Sequence, residues 1–486
     1  MTPYASVTPA IVEQLAAIVG PQNLIYAEPE RMLDYAHDES FENEHHMPEV
    51  VVKPASAQEI SAIMQLANRE RIPVTPRGAG SGLSGGAVPI YGGILLSVER
   101  MNRILEIDLE NLVAVVEPGV ITNELSEAVR AHGLFYAGYP MSVELCYIGG
   151  NVAENAGGGR AVKYGVTGRY VLGLEVVLPT GEIVQFGGKR LKDVTGYDLV
   201  HLMVGSEGTL GIFTKIILRL LPAPSASAVL LAAFDDPHTA IHAVPRIIQQ
   251  GRLIPSAVEF MDHAAMKLAY EYTQEKLPHR AARALLLIEV DGYSAAEVEA
   301  QQEILAQLLS EAGALDIYIG NTPDLARKMW RPRQKIGDAF SALDVAQLDE
   351  DMVVPLSQIP ALLPQVEALA ARHHMQPFCF GHVADGNMHL HTIAERDVTR
   401  DEWRAACAAF LTELYTLVVG LGGTISGEHG IGSKRAPYLP IALDSTVIAL
   451  HRRIKAAFDP LNILNPGKII NDVTASGSAS APTAGR

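Results

Sequence analysis

Apolar residues along this chain fall into two rhythms. Near the start Ile11, Leu15 and Ile18 recur at helical spacing, and a polar stretch, FENEHHMPE, follows. From about residue 50 to 222 short apolar runs read as strands: EVVVKP, PVTPRG, GGILLSV, AVVEPGV and LGLEVVLPTGEIV. Between the first two, AQEISAIMQLANRERI carries helical periodicity. Strands interleaved with helices predict an α/β or α+β sheet domain. LLPAPSASA (220–228), rich in Pro, Ser and Ala after a strand, marks a boundary. Beyond it VLLAAFDD, a helix near 238–250, ARALLLIEVDG and a long helix over about 294–312 predict a second, βαβ-type region. A further helix over 400–419 opens on the capping box Thr399 to Glu402. Its apolar face runs Trp403, Cys407, Phe410, Leu414 and Leu417, and Gly420, Gly422 and Gly423 end it. TASGSASAPTAGR closes the chain as a low-complexity stretch expected to be disordered.

Composition narrows the function classes. The 486 residues predict two or three domains at roughly 150 residues each. Hydrophobic residues make up 48%, enough for large cores, and the net charge is −17 with no long basic run. Such a chain is repelled by nucleic-acid phosphates and anionic membrane surfaces, so nucleic acid is excluded as a partner. The opening MTPYASVTPAIVEQLAAIVG has no basic residue ahead of an apolar core and does not read as a secretory signal. Every apolar stretch is cut well before the ~20 residues of a membrane helix. Cys146, Cys379 and Cys407 form no CxxC pair, which argues against a disulfide framework or a Cys-ligated cluster. A cytoplasmic chain with no integral membrane segment is expected.

Glycine clusters supply the first candidate chemistry. RGAGSGLSGG (77–86) follows the strand PVTP, and its free backbone N–H groups suit an anion that can approach closely. It is neither a Walker A loop, lacking Gly-Lys-Ser/Thr, nor a good dinucleotide fingerprint, since no helix opens directly after it. Two further glycine-rich segments, IGGNVAENAGGGRAVKYG (148–165) and GYDLVHLMVGSEGTLGIFT (196–214), suggest one large phosphate-bearing ligand.

GHVADGNMHLH (381–391) supplies the second. Asp385-Gly386 predicts a two-residue hairpin turn. Residues two apart on a strand share a face, so His389 and His391 point the same way, with His382 able to lie opposite. The pattern alone fits a His-rich hairpin facing solvent as well as half of a metal site. Downstream, SGEHGIG (426–432) offers Glu428 as a hard oxygen donor and His429 as a group that titrates near neutrality.

PRGAGSGLSGG, YIGGNVAENAGG, KYG, GYDL with GSEGTLG, SGEHGIG and FDPLNILNPGK occur in this order over roughly residues 45–470. Together they resemble the FAD-linked D-2-hydroxy acid dehydrogenases of the vanillyl-alcohol oxidase/p-cresol methylhydroxylase flavoprotein fold. Within that family the chain is most similar to the flavin-binding component of glycolate oxidase and to D-lactate dehydrogenases, with D-2-hydroxyglutarate dehydrogenases nearby. The resemblance implies an α+β protein with a two-subdomain FAD-binding domain over 1–222. A ferredoxin-like α+β substrate (cap) domain with the metal site would occupy 223–430, and a C-terminal segment, 431–472, would pack back on the FAD domain. Residues 473–486 would form the disordered tail.

Site roles follow from the same resemblance. Arg77, Gly78, Ala79, Gly80, Ser81, Gly82 and Ser84 would hold the FAD pyrophosphate. Pro140, Ser142, Gly149, Gly150, Asn151, Glu154, Asn155 and Gly158 would line the flavin and ribityl chain. Glu207, Gly208 and Ile212 would sit near the adenine, and Asn465 and Lys468 would return to the flavin domain. Some members tether FAD through a His in the first loop; that stretch holds none here, so non-covalent FAD is expected. His382, His389 and Glu428 match the ligands of one divalent metal, Zn²⁺ by expectation, with Mn²⁺ or Fe²⁺ as alternatives. His429 matches the catalytic base and Arg333 the carboxylate-binding arginine.

The implied reaction oxidises a small D-2-hydroxy acid, of lactate or glycolate type, with hydride passing to flavin N5. Where the D-2-hydroxyglutarate enzymes have Thr, Lys and Asn, this chain has Gly337, Asp349 and His391, which argues against a dicarboxylate. D-2-hydroxyglutarate oxidation and an FAD-binding subunit inactive alone are the alternatives. Electrons must leave to a quinone, an iron–sulfur subunit, an electron-transfer flavoprotein, a cytochrome or oxygen. A homodimer or multi-subunit complex, peripheral at a membrane through a partner, fits that need.

Overall fold

The computed structural model describes residues 4–40, 45–279 and 281–470, so the tail expected beyond 473 and part of FENEHHMPE lie outside the described residues. The first sheet joins β1 (Leu24–Ile25), β2 (Val50–Val52), β3 (Val74–Arg77) and β4 (Ile94–Ser97) in the order β1-β2-β4-β3, with β2, β4 and β3 parallel. A crossover helix, Ala57–Glu70, connects β2 to β3, capped by the Ser56 hydroxyl, which accepts from Glu59 N. It buries Ile60, Ile63, Met64 and Ala67, the spacing that its sequence pattern predicts. The opening helix, Pro9–Val19, buries Ile11 and Leu15, but its third inward residue is Val19 and not Ile18.

A second sheet packs β5 (Ile104–Asp108), β6 (Val113–Val116), β8 (Val171–Val177), β9 (Ile183–Gly187) and β10 (Ile212–Arg219) in the order β5-β6-β10-β8-β9, all antiparallel. β7 (Leu134–Phe135) pairs with β11 (Leu221–Pro222), the last strand before the boundary expected near 223.

The rest of the chain builds one seven-stranded sheet from β12 (Ala226–Phe234), β13 (Ala257–Asp262), β14 (Ala284–Gly292), β15 (Asp316–Gly320), β16 (Gln347–Val353), β17 (Met375–His382) and β18 (Asn387–Ala394). Its order is β15-β12-β14-β13-β17-β18-β16, and every neighbouring pair is antiparallel. The expected βαβ-type region takes the split form: the helices Pro237–Gly251 and Ala295–Glu311 cross over, and each crossover skips one strand. The four-strand order β15-β12-β14-β13 is the ferredoxin-like arrangement. β14 is buried at every position, with Leu286, Ile288 and Val290 in one apolar cluster and Leu285 and Leu287 in another. Both faces of the sheet are covered, which explains an unbroken apolar run where one-sided burial would alternate. The helix Arg400–Gly420 carries the expected capping box and buries Cys407, Phe410 and Leu414.

After the helix Ser445–Phe458 the chain returns to the first sheet. Val74 N donates to Ile463 O at 2.8 Å and Asn465 N to Val74 O at 2.7 Å, extending the sheet beside β3. Asp459 fixes that turn, its carboxylate accepting from Ile463 N, Leu464 N and the Lys455 ammonium. Among the described residues no helix is long and apolar enough to cross a membrane.

Candidate functional site

A groove between the two sheets of the first domain is lined by Arg77, Gly78, Gly149, Gly150, Glu154, Glu207, Gly208 and Ile212. All eight belong to the set expected around FAD, and they come from the three glycine-rich loops. The first two loops lie side by side: a Cβ on Gly78 would meet the Gly150 backbone at 3.7 Å, an ordinary van der Waals contact. The first loop is anchored from below, because Asp38 accepts from Gly85 N at 2.7 Å and Gly82 O accepts from Glu39 N at 3.1 Å. Ala79, Gly80 and Ser81 lie along that loop.

Other expected residues support the groove from behind. The Asn151 amide donates to the Thr122 hydroxyl at 2.8 Å. Asn155 takes a left-handed backbone and accepts from Gly168 N. Gly158 packs under Tyr139 and Pro140, and Ser142 caps the following turn by accepting from Leu145 N and Cys146 N. The Asn465 amide donates to Gly86 O and Glu207 O, and Lys468 Nζ to Val88 O. The Arg77 guanidinium is held by the carbonyls of His37 and Asp34, leaving its main chain to the groove.

The groove's polar chemistry fits a ligand that offers hydrogen-bond donors. Glu154 Oε2, Ser206 Oγ and Asn465 Oδ1 are buried without a hydrogen-bond partner among the described residues. Burial, with Glu207 and Asp38 nearby, pushes the Glu154 carboxyl well above the usual carboxylate range. Burial also pushes the Lys468 ammonium down to about 7, against the pull of Asp38 and Glu207.

The second constellation forms where the seven-stranded sheet meets the loop Ser426–Gly432. β17 ends at His382, β18 carries His389 and His391, and β16 carries Asp349 and Asp351. The connection from β17 to β18 is Val383–Gly386, one helical turn closed by Gly386, not the expected two-residue turn. Only Gly386 of the Asp-Gly pair has positive φ, whereas the two-residue turn needs it at both positions.

His382 Nε2 lies 3.2 Å from Glu428 Oε1, and His389 Nε2 lies 3.4 Å from the same oxygen. Thus His382, His389 and Glu428 converge as the resemblance implies. His391 does not join them: its ring stacks on Phe340 at 3.6 Å and its Nε2 pairs with Gln347 Oε1 at 2.7 Å. The His429 ring stacks parallel on His389 at 5.2 Å, and its Nδ1 lies 3.6 Å from Asp349 Oδ2.

Charge dominates this cluster. Burial alone would raise the Glu428 carboxyl, but His382 and His389 hold it below the usual range. Burial alone would lower His382, yet Glu259 and Glu428 raise it well above an ordinary histidine. Burial lowers His429 against the attraction of Asp351 and Asp349, so its imidazole is kept uncharged. A carboxylate can only accept, so the 2.6 Å contact of His382 Nδ1 with Glu259 Oε1 takes its proton from the imidazole. Raised in this way, His382 can also carry a proton on Nε2, which faces Glu428 Oε1 at 3.2 Å, and a cation held by both groups would take that proton's place. Two imidazole nitrogens and one carboxylate oxygen within 4.8 Å of one another fit a divalent metal by that donor chemistry.

Three residues of this centre escape a linear reading. Glu259, in β13, pairs directly with His382 across the sheet, and its other oxygen accepts from Arg333 Nε at 2.8 Å. Asp351 receives the Ser426 hydroxyl and the main-chain N–H groups of Gly427, Glu428 and His429 on one oxygen. Asn387 donates to the other oxygen of Asp351 at 2.6 Å. A single acid inside the apolar run SAVEFM was the available signal for Glu259.

The two constellations are contiguous. A Cβ on Gly157 would come within 2.6 Å of Glu428 Oε2, and one on Gly159 would strike the Glu259 carboxylate. Immediately after His429, Ile431 N and Gly432 N donate to the two oxygens of Glu207 in the groove.

Comparison with known proteins matches residues 48–187 to an FAD binding domain and 223–469 to the C-terminal domain of FAD linked oxidases. The chain belongs to the FAD-linked oxidase family. It is an FAD-linked oxidoreductase: the first two glycine-rich loops fall in the matched FAD binding domain, the third lies between the two matches, and His382, His389 and Glu428 fall in the matched C-terminal domain. It is 40% identical over 464 residues to glycolate oxidase subunit GlcD of Bacillus subtilis, covering 95% of this chain and 97% of that protein. A D-lactate dehydrogenase of Anaerostipes hadrus is 39% identical over 472 residues, with 96% and 98% coverage. Among solved structures, p-cresol methylhydroxylase superposes with a TM-score of 0.77 at 20% identity, covering 94% of this chain and 96% of that one. That likeness establishes the fold.

Proposed function

We propose that this FAD-linked oxidase oxidises a small D-2-hydroxy acid of lactate or glycolate type to the 2-oxo acid. The observation that carries the reading is the convergence of His382, His389 and Glu428 beside Gly157 and Gly159 of the flavin domain. The relatives named D-lactate dehydrogenase and glycolate oxidase subunit GlcD point to the same substrate class.

Non-covalent FAD would lie along the groove of Arg77, Gly78, Gly149, Gly150, Glu154, Glu207 and Gly208, and when bound it supplies the hydride acceptor. A divalent cation on His382, His389 and Glu428, Zn²⁺ first and Mn²⁺ or Fe²⁺ otherwise, would supply Lewis acidity toward the substrate oxygens. The chain's own residues do the rest. His429, kept neutral by burial, takes the proton of the substrate hydroxyl. Arg333, fixed through Nε, has Nη1 and Nη2 without hydrogen-bond partners among the described residues, and these two groups suit a carboxylate. A second substrate carboxylate would meet Asp349 Oδ2, which is buried beside His429, and this favours a monocarboxylate over 2-hydroxyglutarate.

The electrons then pass to a quinone, an iron–sulfur partner subunit, an electron-transfer flavoprotein or a cytochrome. A cytoplasmic protein that reaches a membrane through a partner subunit is consistent with that need. Anaerobic addition of D- and L-2-hydroxy acids to the FAD- and metal-loaded protein tests the reading. D-lactate or glycolate should bleach the flavin absorbance while L-lactate leaves it yellow. A flavin that stays yellow with every 2-hydroxy acid would instead identify a structural subunit inactive alone.

A further inference from the structure

We infer that Glu259 is a positioning residue that locks the metal-facing histidine and the substrate-facing arginine into one rigid unit. The inference rests on the proposed function and names a residue for that same site. Glu259 is fully buried in the middle of the seven-stranded sheet, where an isolated carboxylate would be costly. It is retained with both oxygens committed in different directions: Oε1 takes the His382 Nδ1 proton at 2.6 Å, and Oε2 takes the Arg333 Nε proton at 2.8 Å.

Each bond selects one orientation of its partner. With Nδ1 carrying the proton, His382 can present only Nε2 to Glu428, the tautomer a metal ligand requires. With Nε held, the Arg333 guanidinium lies over the Phe380 ring at 5.1 Å, and its Nη1 and Nη2 have no hydrogen-bond partner among the described residues. Backbone register makes the unit stiff, because Glu259 and His382 are direct partners on β13 and β17. Gly159 seals it from the flavin side, since any side chain there would strike the Glu259 carboxylate. One carboxylate therefore fixes the distance between the cation position and the carboxylate-binding arginine, the two points that must grip opposite ends of a short 2-hydroxy acid. Neither His382 nor Arg333 could rotate without breaking this shared acceptor.

Glu259→Gln tests it, because an amide can accept from only one of the two N–H donors and must point its own N–H₂ at the other. Zn²⁺ affinity, read by competition with a chromophoric chelator, should fall ~10–100-fold. KM for D-lactate should rise together with a fall in kcat, while FAD content stays at the wild-type level. Glu259→Asp, which keeps the charge but withdraws it by one methylene, should give intermediate values in both assays. If Glu259→Gln fails to take up FAD, the Asp variant decides in the same two measurements. Wild-type Zn²⁺ affinity and wild-type KM in a variant that retains FAD would overturn the inference. A wild-type protein that neither takes up Zn²⁺ nor bleaches with any 2-hydroxy acid would overturn the proposed function instead.

Discussion

Asp351 receives the main-chain N–H of His429 at 2.9 Å on the same oxygen that receives Glu428 N at 2.8 Å. One buried carboxylate thus orients both the expected metal-ligating glutamate and the expected base through their backbone, without touching either side chain. Despite its burial, Asp351 is held well below the usual carboxylate range, helped by the Arg435 guanidinium and the Glu428 N–H. Asp351→Asn should leave one or more of these donors facing an amide N–H₂. We expect kcat to fall ~100-fold with FAD retained, consistent with a base displaced by a fraction of an ångström. Unchanged kcat in the purified variant would show that the loop holds its shape without the carboxylate.

Removing the imidazole itself separates chemistry from binding. His429→Ala should lower the rate of substrate-driven flavin bleaching by ~10²–10⁴, the usual worth of a positioned general base. FAD content should be unchanged, because His429 lies beside and not within the groove. Dialysis of the wild type against a strong chelator should have the same effect and be reversed by Zn²⁺. Full-rate bleaching in either preparation refutes the assigned roles.

We expect Lys468 to couple FAD affinity to pH. Burial pushes its ammonium down to about 7, so above that value the free groove holds it neutral. An anionic pyrophosphate bound beside it would favour the charged form, so that FAD binding above pH 7 would take up a proton. Affinity of the apoprotein for FAD should therefore weaken as pH rises from 7 to 9, by up to about tenfold per unit. Flavin-fluorescence titrations at each pH would measure this, and Lys468→Met should flatten the dependence. A flat wild-type profile would place the lysine away from the phosphates.

His391 predicts an acid-labile cap domain. Burial against Phe340 pushes its imidazole down to about 4, from an ordinary 6.5. The unfolded chain binds this proton through that interval and the folded chain does not, so stability is lost as pH falls from 6.5 toward 4. The loss is at most about 3 kcal/mol. Urea melts across this range should show His391→Asn with a shallower slope than the wild type; equal slopes would assign the acid sensitivity elsewhere.

Local pattern carried much of this protein. Helical spacing and a Ser cap specify Ala57–Glu70, and Thr399 with Glu402 specifies the start of Arg400–Gly420. The glycine loops announce a close-approaching ligand because a residue without Cβ is readable one position at a time. The turn after β17 misleads, since Asp-Gly names a turn residue without naming the length of the turn.

Sequence alone determined the family and marked the glycine loops and the His382, His389 and Glu428 side chains as candidates, because each lies in a contiguous motif. Only the folded sheet decided that Glu259 meets His382 from 123 positions away and that Asp351 gathers the loop around His429. Those contacts follow from strand register, and register is settled by the burial of two sheet faces together, a property no single segment contains.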